Sequence, residues 1–342
     1  MIKQIFIFII VFFGIILFSE VFIRTAHISN FSSSEFYDDI GRGCRKNFNY
    51  LYFNEGFGIG KYNEYRYIGE AIPPEKQKNS FRVALMGDSF VESFQIFDRD
   101  YFGNIAENIL GKEYPDIRFE FLNFGRSGFD IADVYAYQKL FVDKFNPDLI
   151  LYIIENDDLT PQYRDPLLPK TMVENDSLVV FSNYDPSEVN SFEKKKFLPQ
   201  NFSFFQMINI CIKKIKSTPV SAVLFDKFYT LFQSKDNNSK ISDKLPDQIN
   251  SVTLEIIKNL DPNKVIFVDR DLTGLSQTFK TLLRDKGFEL IDLNKGLDSL
   301  KQAGIDPNKW KVTGIKGHWN HNAHKAIGLY IAENIKNAIV AF

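Results

Sequence analysis

The chain reads as an α/β protein: a three-layer, doubly wound sheet of about five parallel strands with helices on both faces. Three observations predict it. From residue 81 onward, short β-rich apolar runs alternate with segments of helical spacing, the pattern of parallel strands joined by right-handed crossovers. Three of those runs end in polar or Gly-rich stretches, "GDSF", "NFGRSG" and "END". The 342 residues, 44% hydrophobic and 25% charged, form an ordinary globular composition able to bury a full core.

Taken in chain order, residues 5–18, "IFIFIIVFFGIILF", are apolar apart from Gly14, and the run continues past Ser19 and Glu20 to Arg24. At ~1.5 Å per residue, residues 5–23 span roughly 28 Å, the thickness of a bilayer core. Residues 1–24 are therefore a transmembrane anchor or a signal segment. Lys3 followed by an apolar core fits a cleaved signal peptide as well, but no small-x-small site follows the run, which favours an uncleaved anchor. With Lys3 inside, the rest of the chain faces outward, although Arg24 on the far side weakens that charge argument.

Residues 25–80 read as an irregular connector, polar in "SNFSSSEFYDD" and then Gly- and Tyr-rich up to a Pro-Pro turn signal. Its aromatic alternation predicts that it packs on the domain. The strands expected next are "FRVALMG", "RFEFLNFG", "DLILYII", "KVIFVDR" and "FELIDLN". The helices expected between and after them are "DYFGNIAENILGKEY", "DIADVYAYQKLFVDKF", "QINSVTLEIIKNL", "LSQTFKTLLRDK" and "HNAHKAIGLYIAENIKNAIV". Residues 81–342 thus form one domain, interrupted at about 160–245 by a stretch without βα pattern, too long for a loop and partly helical around "FFQMINICIKKI". It reads as an inserted cap.

A net charge of −2, a pI near 6.2 and the lack of a long basic stripe argue against a nucleic-acid partner. Cys44 and Cys211 stand far apart with no CxxC spacing, which argues against a thiolate metal site and leaves a single disulfide open. In a parallel sheet, ligands gather outside the carboxyl ends of the strands, near the point where the winding reverses. If the first strand of the domain lies between the next two, their loops converge on Ser89.

With these blocks in place, the chain resembles the SGNH (GDSL-type) hydrolase superfamily over roughly residues 81–160 and 285–342. The blocks stand in the family's order: "GDSF" with Ser89, "NFGRSG" with Gly128, "END" with Asn156 and "GHWNHNAH" with His318. The resemblance implies a flavodoxin-like sheet of the SGNH hydrolase fold. It also implies Ser89 as nucleophile, His318 as general base, and an oxyanion hole made by the backbone N–H groups of Ser89 and Gly128 and the side-chain amide of Asn156. Asp88 reads as a structural acceptor in the turn, and Asp157 and Asp158 as helix caps, one of which could reach the site. His318, His321 and His324 have a metal-like spacing, but the first precedes the helix, and the family pattern often carries a second His at the place of His324; no metal or cofactor is expected.

The chain departs from that pattern twice. The Asp that usually stands two or three residues before the catalytic His is replaced by Lys316 and Ile315, so His318 must use a backbone carbonyl, a carboxylate from elsewhere, or nothing. In the third block Ile154 and Glu155 precede Asn156 where a Gly is usual, and Glu155 near an oxyanion is unhelpful unless it turns away. The implied function is a serine esterase acting outside the membrane on short acyl esters, acetyl above all, of envelope carbohydrates. A polysaccharide O-acetyltransferase with the same residues stays open and needs a multi-span partner to bring the acyl donor. A catalytically inactive glycan-binding or scaffold module also stays open.

Overall fold

The computed structural model describes residues 2–26, 33–52, 54–216 and 249–340, which fall into two compact units. The smaller comprises residues 1–33 and 190–244, the larger residues 34–189 and 245–342.

In the smaller unit, helix α1 (Ile2–Thr25) is apolar and long enough to cross a membrane, and its apolar side chains are largely exposed. Glu20, the acidic interruption of the run, pairs with Arg24 at 2.5 Å and accepts the N–H groups of Ser203 and Phe204 at 3.0 and 2.8 Å. It thereby caps a helix at Ser203–Lys216, over the stretch whose sequence has helical spacing. The charged run "QSKDNNSK" and His27 lie outside the described residues.

The larger unit opens with two β-hairpins, β1 (Ser34–Tyr37) with β2 (Gly41–Cys44) and β3 (Phe48–Tyr52) with β4 (Gly58–Tyr62). The connector is therefore not irregular, as its polar composition implied. Its aromatic alternation in "FNYLY" is the period-2 pattern of a strand. Ile68 bridges both Tyr62 on β4 and Asn123 on the edge strand of the main sheet, so this segment covers an edge that would otherwise be open.

Next come β5 (Ser80–Gly87), β6 (Arg118–Asn123), β7 (Leu149–Ile154), the hairpin β8 (Lys170–Glu174) with β9 (Ser177–Phe181), then β10 (Val265–Asp269) and β11 (Glu289–Asp292). The five-stranded parallel sheet has the order β11-β10-β7-β5-β6. Period-2 alternation along each buried strand feeds two separate cores. Ala84 and Met86 of β5 pack on one face with Val134, Tyr137, Ile256, Ile257 and Phe279 from three helices. Val83 and Leu85 pack on the other face with Phe102, Ala106, Leu297, Ile327 and Ile331 from three more. The helix predicted over residues 130–145 stops at Leu140, and a 3₁₀ turn, Val142–Phe145, takes the chain on to β7. Both cysteines are unpaired, Cys44 buried and Cys211 exposed.

At the amino end of β5, Arg82 is wholly buried and donates to Glu120 of β6 at 2.8 Å and to the carbonyls of Pro74 and Phe145. One guanidinium so ties β5 to the connector, to the edge strand β6 and to the approach to β7. Removing its partner leaves an uncompensated charge in the core. Glu120→Ala is expected to cost about 3–5 kcal/mol of unfolding free energy, read as a lower urea midpoint at unchanged slope.

Candidate active site

Strand β5 lies between β6 and β7, so the winding reverses there and the loops leaving all three strands meet at its carboxyl end. The apolar run ends at Gly87, where an added Cβ would sit 2.5 Å from the Ile153 carbonyl. Only glycine lets the two strand ends approach so closely. Asp88 then accepts the Phe90 N–H at 2.9 Å, capping the short helix Ser89–Glu92 and setting Ser89 at its first position.

His318 arrives from the other end of the chain. Asn320 holds its loop: the amide donates to the carbonyls of Asp306 and Lys309 at 2.8 and 2.9 Å, while Oδ1 caps the last long helix, His321–Asn334, at Ala323. Trp310 Nε1 donates to the His318 carbonyl at 3.0 Å. Nε2 of His318 lies 2.7 Å from Ser89 Oγ, and the imidazole side chain is 25% exposed.

The opposite nitrogen, Nδ1, is bonded to Oε1 of Glu55, which also accepts the His318 backbone N–H at 3.2 Å. The Glu55 side chain is only 6% exposed. Thr313 Oγ1 donates to the Glu55 carbonyl at 2.6 Å, and Gly317 leaves room for the carboxylate, since a Cβ there would lie 2.7 Å from Glu55 Cδ. Burial raises the Glu55 carboxyl, but the hydrogen bonds and charge of His318 outweigh it and hold the group below the usual carboxylate range. The carboxylate missing before His318 therefore comes from the segment between β3 and β4. Lys316 is turned outward, 72% exposed, and paired with Asp306 at 2.7 Å. The sequence signalled Glu55 only as an acid set among glycines and aromatics in "NEGFG".

The loop after β6 is bound to the same turn. Arg126 N–H donates to the Gly87 carbonyl at 3.0 Å. Glu92 accepts the Ser127 N–H at 2.8 Å and the Ser127 hydroxyl, and is itself held by Tyr62 Oη at 2.7 Å. Gly128 follows in the left-handed region, φ +81°, with open space where a Cβ would stand. Among the described residues, neither the Ser89 nor the Gly128 N–H donates to another group.

Asn156 departs from its expected place. Its amide donates to Asp271 Oδ2 at 2.6 Å and to the Gly274 carbonyl at 2.9 Å, and its Oδ1 accepts the Ser276 N–H at 2.8 Å. Both amide hydrogens are thereby used, and none is left for an oxyanion. The reason is the neighbouring strand: the loop leaving β10 folds over the end of β7 and takes Asn156 as its anchor.

Glu155 does turn away, towards Arg270 Nη1 at 2.8 Å. Arg270 also donates to Asp88 Oδ2 at 2.8 Å and Asp158 Oδ2 at 3.1 Å. Asp158 accepts the Glu155 N–H at 2.9 Å as a cap, whereas Asp157 is exposed. Burial carries the Asp158 carboxyl to about 7, with Arg270 opposing and Asp88 reinforcing the shift. The carboxylates of Asp88, Glu155 and Asp158 lie within 4.8 Å of one another, and the charge set among them is the guanidinium. The three histidines stand apart in role: His321 is exposed beside the Trp310 ring, and His324 is buried with Nδ1 accepting the Phe102 N–H at 3.3 Å.

No protein-family model matches the chain, and no curated protein matches it by sequence. Among solved structures, the chain is similar to a two-domain esterase active on acetylated mannans, at 9% identity and a TM-score of 0.38 over 76% of this chain and 50% of that one. It spans half the length of that protein. It is also similar to an acetyl xylan esterase from Geobacillus stearothermophilus, at 11% identity and a TM-score of 0.38, covering 75% and 94% of the two chains. A lipase/acylhydrolase from Enterococcus faecalis matches at 12% identity and a TM-score of 0.38, covering 75% and 96%.

Burial pushes the His324 imidazole down to about 3, with the charges of His321 and His318 acting in the same direction. Below about pH 6.5 the unfolded chain takes up a proton that the folded chain refuses, so this group's contribution to stability is full above that pH and falls on acidification. Long-range ¹H–¹⁵N spectra are expected to show His324 still as the neutral Nε2–H tautomer at about pH 5, about two pH units above its folded pKa.

Proposed function

We propose that the chain is a serine esterase of the SGNH type, with Ser89 as nucleophile, His318 as general base and Glu55 as the carboxylate that orients the base. One observation carries this reading. The Ser89 hydroxyl is 2.7 Å from His318 Nε2, while the other ring nitrogen is held by a buried carboxylate. Glu55 accepts Nδ1–H, which fixes the tautomer whose Nε2 lone pair faces the hydroxyl. As Oγ attacks the ester carbonyl, its proton passes to Nε2, and the carboxylate stabilises the imidazolium. Nε2–H then protonates the departing alkoxide, and water cleaves the acyl-enzyme by the reverse sequence.

The oxyanion in this scheme is met by the backbone N–H groups of Ser89 and Gly128, which have no partner among the described residues, without Asn156. Two N–H donors suffice for the hole of serine proteases. The two features that favoured an inactive module, Lys316 and Glu155, are accounted for by Glu55 and Arg270 in the places described. Ser89 and His318 are partly buried but reach solvent, which suits an acyl group borne on a bulky carrier and supports short esters of envelope carbohydrates as the substrate class. Helix α1, taken as an anchor, would hold the site on the outer side of a membrane.

The test uses the full-length chain in detergent with a fluorophosphonate probe, p-nitrophenyl acetate and acetylated glycans. Ser89→Ala is expected to lose both labelling and turnover, and His318→Ala to lose turnover. Absence of labelling in the folded wild type overturns the reading. Free acetate as the only product marks hydrolysis; an acetylated acceptor marks transfer.

Glu55→Gln keeps the shape but offers an amide to Nδ1, and is expected to lower kcat by about 10²–10⁴, as with the equivalent carboxylate of serine proteases. Lys316→Asp is expected to leave kcat within about twofold, because a surface pair of this kind is worth little and Nδ1 is already held. A rise in activity with Lys316→Asp would show that Glu55 does not serve His318.

A further inference from the structure

We propose that Arg270 is a positioning residue for the nucleophile turn, gripping the residues on both sides of Ser89 and cancelling carboxylate charge that would oppose the oxyanion. The inference rests on the serine-esterase reading and adds to it a residue that lies in none of the four sequence blocks. Asp88 and Phe90 flank Ser89, and both meet the same guanidinium. Nη2 donates to Asp88 Oδ2 at 2.8 Å, and Cζ lies 4.5 Å from the centre of the Phe90 ring. The Arg270 backbone N–H donates to the Ile154 carbonyl at 3.0 Å, so the ends of β10 and β7 are locked together beneath the turn. With its side chain 2% exposed, the guanidinium is screened little by solvent.

Charge gives the second half of the argument. Asp88, Glu155 and Asp158 all converge on this one cation, so negative charge is in excess beside the place where acyl transfer creates more of it. Arg270 offsets that charge, and its planar fork meets the carboxylates through two separate nitrogens in a fixed geometry, which the single nitrogen of an ammonium does not offer. The Phe90 ring then carries the coupling onward. It stands 4.8 Å from the His318 ring and 5.1 Å from that of Trp319, centre to centre, so one ring is held between the guanidinium and the imidazole.

Several charged or titratable groups surround His318. Glu55 faces it from the β3–β4 segment and Ser89 from the nucleophile turn. Lys316 with Asp306 lies on its own loop, and His321 and His324 lie on the helix that follows. Across Phe90 stands Arg270 with its three carboxylates. Loss of the cation bares those carboxylates and favours the imidazolium; loss of one carboxylate does the opposite.

The experiment compares full-length wild type, Arg270→Gln, Arg270→Lys and Glu155→Gln in detergent, measuring p-nitrophenyl acetate turnover from about pH 5 to 9. Arg270→Gln is expected to lower kcat about 10- to 100-fold with KM little changed, as for a displaced reacting group. Its acid limb of kcat/KM should move up by about half to one pH unit, and that of Glu155→Gln should move down by a smaller amount. Arg270→Lys keeps the charge and loses the fork, so kcat should fall while the limb stays near that of wild type. A merely structural role lowers thermal stability and moves neither limb. If Arg270→Gln does not fold, the downward shift in Glu155→Gln and the kcat loss in Arg270→Lys decide the question. An active wild type whose limb and kcat are unmoved in the folded variants overturns the role of Arg270 alone; a wild type without labelling or turnover overturns the esterase reading and this inference with it.

Discussion

The hydrogen bond between Glu55 and His318 is the constraint on which the candidate site depends. An imidazole at the mouth of a sheet can rotate and can place its proton on either nitrogen; a carboxylate on Nδ1 removes both freedoms. Here the same Oε1 also takes the His318 backbone N–H, so the acid fixes the loop as well as the ring. The arrangement needs a carboxylate that is itself immobile. Burial, the Thr313 hydroxyl on its carbonyl and the clearance at Gly317 provide that. The hairpin region before the α/β repeat is thus a part of the site and not a tether, which explains why it packs with strands and buried tyrosines where composition suggests a loop.

Around Ser89 the structure solves a second problem, that of too many acids. Four carboxylates, those of Asp88, Glu92, Glu155 and Asp158, lie on the loops that leave the central strands. Each has a defined partner: Glu92 holds the Ser127 N–H and is held by Tyr62, and the other three meet Arg270. Buried polar groups of this kind are tolerated when satisfied and are costly when not. The consequence is rigidity at the one turn whose backbone must keep a shape, since Asp88 and Asp158 each cap a backbone N–H and also compensate the guanidinium, Asp158 through the same Oδ2.

The sheet supplies the common edge. With β5 placed between β6 and β7, the loops carrying Ser89, Gly128 and Asn156 emerge side by side, as the doubly wound topology requires. Yet adjacency does not decide orientation. Gly128 has open space and, among the described residues, no partner for its N–H, whereas Asn156 is drawn sideways by the loop from β10. Two residues equally prominent in sequence thereby meet different surroundings.

The sequence by itself determined the architecture and singled out the candidate pair, Ser89 and His318. Apolar runs at strand length, alternating with helical periods, leave few ways to bury both faces of each strand, and "GDSF" and "GHWNHNAH" mark where a hydroxyl and an imidazole leave that framework. Local signals suffice for those features because periodicity and turn chemistry are properties of neighbours in the chain. Only the tertiary structure decided which acid serves His318, what neutralises Glu155 and where Asn156 points. Those choices join residues 263, 115 and 115 positions apart. A hydrogen bond or an ion pair between such partners has no periodicity and no spacing rule; it exists only where folding brings a donor within about 3 Å of an acceptor.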